Sequence, residues 1–91
     1  MTSCAVAVTN PLGLHARAAA RFVHAASGFS SRIRVACGER TMDGKSIMGL
    51  LLLAAARGTT ITISADGEDE SAAIEALRSL VERGFEDTTC A

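Results

Sequence analysis

His15 is the residue around which a chemistry can be written. It closes a turn made from Asn10, Pro11 and Gly13 and opens the alanine-rich run Ala16-Arg17-Ala18-Ala19-Ala20-Arg21, a composition that favours helix. An imidazole at that junction sits beside unpaired backbone N–H groups and the positive pole of a helix dipole, where an anion is welcome and a second positive charge is not. With a reference pKa of about 6.5, free imidazole is largely unprotonated at neutral pH and can act as a nucleophile. Arg17 can offer a planar fork of donors to phosphate oxygens from the first helical turn. The backbone N–H groups of Ala16 and Arg17 can hold the same oxygens, as helix starts hold anions elsewhere. This pattern suits acceptance and release of a phosphoryl group, with cationic donors neutralising charge in an in-line transfer. His24 lies about half a helical turn out of phase with His15, so the two cannot form an i, i+4 metal pair, and His24 is read as a surface residue.

The elements that must position these groups follow from periodicity. Cys4 to Thr9 alternates as a half-buried strand and delivers the chain to the Asn10 turn. A helix is expected from Ala16 to Ala26, with Ala19, Ala20, Phe22 or Val23, and Ala26 as its apolar stripe and Gly28 as its end. Arg32 to Cys37 forms a second strand with Ile33, Val35 and Cys37 inward, and Gly38-Glu39 turns it into a short third strand, Arg40 to Met42. Ser46 is the natural N-cap of a second helix through Leu50 to Ala56, ended by Gly58 and too short to span a bilayer. Thr59 to Ala65 alternates most cleanly, with Ile61, Ile63 and Ala65 on one face. Glu68 to Glu70 then put negative charge at a third helix start, and Ala73, Ile74, Leu77, Leu80 and Val81 draw its apolar stripe. The order βαββαβα, with polar outer strand faces, predicts an α+β domain of two layers, the helices covering one side of the sheet.

The stretch Asn10 to Arg17, with its Asn-x-x-Gly-Leu-His-Ala-Arg pattern, resembles the active-site signature of the HPr family, the histidine phosphocarriers of bacterial phosphoenolpyruvate-dependent phosphotransferase systems. Asp43-Gly-Lys-Ser-Ile-Met-Gly-Leu-Leu resembles the family's regulatory serine segment, and Thr60 to Glu70 also fits, so the likeness spans essentially the whole chain. It implies an open-faced β-sandwich with a four-stranded antiparallel sheet and three helices on one face. It implies that His15 takes phosphate through Nδ1 from Enzyme I and passes it to a downstream EIIA-type component, with Arg17 contacting the phosphate. It implies that Ser46 is phosphorylated where an HPr kinase/phosphorylase exists, and that Ile47 and Met48 supply the apolar part of a docking surface. The family commonly has proline after the arginine; Ala18 stands here, trading rigidity in the first turn for an extra N–H donor.

Ninety-one residues make one domain, 1–91. With 48% hydrophobic and 21% charged residues it should fold without metal or disulfide support. Three Phe and no Tyr or Trp make the core aliphatic and weaken any case for single-stranded nucleic-acid binding. Cys4, Cys37 and Cys90 form an odd set without Cys-x-x-Cys spacing, and no signal or membrane-spanning stretch is legible, so free thiols in a reducing cytoplasm are expected. Cys4 and Cys37 are read as small hydrophobes in strands, and Cys90 as exposed near the end. Net charge is −1, but seven of the nine Lys and Arg precede Asp66 and eight of the ten acids follow from it. The electropositive part carries His15 and suits an acidic or phosphorylated partner surface.

Three classes compete. A phosphocarrier is a transfer protein and not a free-standing enzyme, without cofactor, metal, nucleic acid or membrane insertion, and monomeric. A regulatory adaptor of the same fold would bind kinases or transcription regulators without obligatory phosphate transfer; His15 with Arg17 argues against it. A small metal-binding domain has no ligand pair at usable spacing.

Overall fold

The computed structural model describes residues 1–53 and 55–85. Seven elements follow in the order β1 (Thr2–Ala7), α1 (Ala16–Ser27), β2 (Arg32–Cys37), β3 (Arg40–Asp43), α2 (Ile47–Leu53), β4 (Thr60–Asp66) and α3 (Glu70–Glu82). The strands form one antiparallel sheet in the order β1-β4-β2-β3. β4 is central because both faces of its ladder are used: Ile61 pairs with Val6, and Ile63 with both Cys4 and Val35. Its alternation decides which side is wet. Ile61, Ile63 and Ala65 are buried under the helices, whereas Thr60 and Asp66 are exposed.

The helices supply the other half of an aliphatic core. Phe22 from α1, Leu50 from α2 and Leu77 and Val81 from α3 are fully buried against Val8, Ile33, Val35, Ile61 and Ile63, each such side chain contributing about 1.5–3 kcal/mol of transfer free energy. The buried stripe of α1 is Ala18, Ala19, Phe22 and Ala26, and Ala20 is exposed. The expected stripe had Ala20 inside. Among alanines hydropathy cannot choose a face, and the i, i+4, i+8 row through Phe22 chooses Ala18. Strand β1 spans Thr2–Ala7 rather than Cys4 to Thr9, although Val8 still exchanges backbone bonds with Thr59 and Gly58. The β2–β3 hairpin turns at Gly38, whose φ of 63° suits the first position of a type II′ turn.

The second helix stops early. Expected to reach Ala56, it is described over Ile47–Leu53, and Ala55 and Ala56 lie outside it: the Ala55 carbonyl accepts the Leu14 N–H at 2.9 Å, and Arg40 of β3 donates to the Leu52 carbonyl at 2.8 Å. The last turn of α2 contains no basic residue, and a guanidinium from the hairpin takes that place. Cys4 and Cys37 are free thiols packed at the edge of the core. Burial pushes the Cys4 thiol above its ordinary value, which keeps it protonated and inert at neutral pH. Cys90 lies outside the described residues. No helix among the described residues is long and apolar enough to cross a membrane.

One tertiary clamp closes the side of the domain where α3 begins. Asp69 accepts from the N–H groups of Ser30 and Ser31 at 2.8 and 3.0 Å and from the Ser31 hydroxyl. These bonds hold its carboxyl down to about 2, and Glu70, bonded by Thr2 and the Gly67 N–H and paired with the Met1 ammonium, is also lowered to about 2. Both groups bind protons more readily in the unfolded chain, so their stabilisation is present above their ordinary range and is lost as pH falls from about 4 towards about 2. Urea midpoints measured from about pH 6 down to about pH 2 should fall across that window. Asp69→Asn should flatten part of the fall, and an unchanged profile would contradict the clamp.

Candidate functional site

The site is built from a loop, one helix start and the end of another helix. Gly13 adopts φ 65°, with its N–H bonded to the Asn10 carbonyl at 3.0 Å, while Asn10 Nδ2 donates to the Gly13 carbonyl at 2.6 Å. The same carbonyl accepts the His15 N–H at 3.0 Å, and the chain then enters α1. His15 is the N-cap, in extended backbone conformation, its own carbonyl accepting the Ala19 N–H at 2.8 Å as the first bond of the helix.

The imidazole replaces the usual capping oxygen. Nδ1 accepts the Arg17 backbone N–H at 3.2 Å, so the lone pair lies on Nδ1, facing the helix start, and the proton of the neutral ring belongs on Nε2. The Arg17 N–H expected to bind a phosphate oxygen is therefore turned onto the histidine. It becomes available when that lone pair is used to form a bond.

His15 is half-buried at the edge of an open cleft of about 380 Å³ whose wall includes Asn10, Leu12, Arg17, Ala18, Arg21 and Phe85. Asn10 Oδ1 is buried there without a hydrogen-bond partner among the described residues. Ala18 is fully buried, so the first turn is held by packing. Arg17 is exposed. Phe85 reaches the cleft because the chain reverses after α3, with φ of 59° at Phe85 and its N–H on the Leu80 carbonyl at 2.9 Å. The structure places His15 and Arg17 on the wall of one cleft. It adds Arg21, Leu12 and Phe85, of which only Arg21 left a trace in the sequence, as an i+4 neighbour of Arg17.

Ser46 belongs to a second locus at the start of α2. Its hydroxyl accepts the Gly49 N–H at 3.1 Å and its carbonyl the Leu50 N–H at 3.1 Å, an N-cap as expected. Ile47 and Met48 are 41% and 70% exposed, and so is Leu52 at 55%, which makes the outer face of α2 more apolar than the two residues singled out by sequence; Leu12, 76% exposed, belongs to the loop of the His15 cleft. His24 is exposed in the last turn of α1. Among the described residues no group of three or more His, Cys, Asp or Glu side chains is gathered where a metal ion could bind.

The family model described as "PTS HPr component phosphorylation site" matches residues 2–83. The chain belongs to the HPr family. It is 49% identical over 82 residues to the phosphocarrier protein HPr of Xylella fastidiosa, covering 90% of this chain and 92% of that one. It is 39% identical to the phosphocarrier protein NPr of Shewanella violacea, covering 92% of each. The crystal structure of HPr from Thermoanaerobacter tengcongensis superposes with a TM-score of 0.89 at 42% identity, covering 96% of this chain and 99% of that one. The sheet order and the three helices found here are those of an HPr fold, and the HPr and NPr relatives are phosphocarriers, relay components and not enzymes.

Proposed function

We propose that this chain is a phosphocarrier that accepts a phosphoryl group on His15 Nδ1 from phosphorylated Enzyme I and passes it to an EIIA-type component, acting as a monomer in the cytoplasm. The observation that carries this reading is the Nδ1 lone pair aimed at the start of α1. In the forward step Nδ1 attacks phosphorus and the bond from phosphorus to the donor nitrogen breaks. The Nδ1 lone pair becomes the new Nδ1–P bond, and the donor imidazole departs with both electrons of the bond that breaks. As Nδ1 gives up its lone pair, the Arg17 N–H is released to a phosphoryl oxygen, and the Ala16 N–H and the Arg17 guanidinium are placed to join it. The site is an open cleft rather than an enclosed pocket, so donor and acceptor proteins must complete it.

The test is incubation with catalytic Enzyme I and phosphoenolpyruvate, read by intact mass. One acid-labile, alkali-stable phosphate per chain is the expected result, and no mass gain with a demonstrably active Enzyme I would overturn the reading. Phosphoryl transfer rates to purified components of the sugar and of the nitrogen-related branch would separate those two destinations.

Ser46 is the proposed regulatory site. A phosphate there suits the start of α2, yet adds about −1.5 to −2 charge beside the apolar face that Ile47 and Met48 present. Ser46→Asp should keep the helix capped and slow transfer from Enzyme I by about tenfold, chiefly through weaker docking. Ser46→Ala should transfer at the wild-type rate while losing about 1 kcal/mol of stability with the Gly49 bond. Equal transfer by all three chains would remove the regulatory role.

A further inference from the structure

We propose that Arg21 is a second guanidinium contact for the phosphoryl group on His15, an inference that rests on the phosphocarrier reading. Arg21 lies four residues after Arg17, so the two share one side of α1. Side chains on a helix lean towards its N-terminus, which carries the Arg21 guanidinium back over the turn that holds Arg17 and His15. The cleft agrees with this: Arg21 lines it together with His15 and Arg17, and lines a second hollow of about 450 Å³ with His24 and Leu80. Arg17 lines both hollows too and is exposed, whereas Arg21 is half-buried, with less of its side chain to immobilise when it takes up an oxygen.

Charge points the same way. A phosphoryl group brings about −1.5 to −2 charges and three acceptor oxygens. One guanidinium and two backbone N–H groups leave part of that charge unmatched, and a second guanidinium balances it. Arg21 thus serves transfer rather than encounter, gripping oxygens that gain negative charge as the bond to phosphorus changes hands.

The experiment compares the full chain with Arg21→Gln and Arg21→Lys. Steady-state transfer from Enzyme I should show kcat lowered about tenfold in Arg21→Gln with KM within about twofold, and Arg21→Lys in between. The Arg21 Nε–H resonance of the wild type should move on phosphorylation, and also on titration with inorganic phosphate, which Arg21→Gln should bind about fivefold more weakly. A resonance unmoved by either treatment, or a kcat for Arg21→Gln equal to wild type, overturns the proposal. A rise in KM alone also overturns it, by making Arg21 a docking residue. Should wild type gain no mass from active Enzyme I, the His15 reading fails; the phosphate titration still decides whether Arg21 binds an oxyanion in this cleft.

Discussion

A chain carrying His15→Ala is expected to take up no phosphate from Enzyme I, its transfer rate falling by at least about a thousandfold to background. The size of the loss follows from the removal of the nucleophile itself, since neither Arg17 nor the helix start has a lone pair to replace Nδ1. The fold should survive. His15 is half-buried and contributes one side-chain bond, to the Arg17 N–H at 3.2 Å, so the cost is that of a lost N-cap, about 1 kcal/mol. His24→Ala is the matching control, because His24 is exposed at the far end of α1, and it should accept phosphate at the wild-type rate. Intact mass gives the stoichiometry, and phosphorus NMR of the wild-type product distinguishes Nδ1 from Nε2. Phosphate retained by His15→Ala, or placed on Nε2 in wild type, would contradict the geometry at the start of α1.

Gly13→Ala is expected to be the most disruptive single methyl in the site. Gly13 has φ of 65°, where a Cβ is strained, and the added atom would meet the Ala55 carbonyl oxygen at 2.4 Å and Ala56 Cα at 3.0 Å. Backbone atoms cannot swing aside as a side chain does, so either the Asn10 turn or the segment after α2 must shift. Left-handed strain and overpacking together cost about 2–4 kcal/mol. The shift also breaks or lengthens the bond from the Leu14 N–H to the Ala55 carbonyl, one residue before His15, and thereby moves the nucleophile relative to Arg17. Urea denaturation should show the loss of stability, and phosphotransfer by the folded fraction should fall by about tenfold or more, since small misplacements of a nucleophile are expensive. A variant with wild-type stability and rate would show that the turn tolerates a second conformation.

These two substitutions separate what local sequence can reveal from what it cannot. The strands, the three helices and the placement of His15 and Ser46 at helix starts were all legible, because each is written in neighbouring residues: alternation at period two, apolar stripes at 3.6, a capping hydroxyl, glycine at turns. The two-layer α+β arrangement follows from the same patterns, since strands wet on one face need a helical layer on the other. His15 and Arg17 were legible for the same reason, being two residues apart on one turn. What only the tertiary structure decided are contacts between segments far apart in the chain. Leu14 meets Ala55, Arg40 reaches the Leu52 carbonyl, Asp69 clamps Ser30 and Ser31, and Phe85 turns back to wall the His15 cleft. Which alanine of α1 faces inward was also decided there, by Phe22 seeking the core, and so was the inclusion of Arg21 in the cleft. Hydropathy and capping act over one or two turns of chain, whereas the walls of a site are made by packing between elements, and no local pattern records which surfaces packing will bring together.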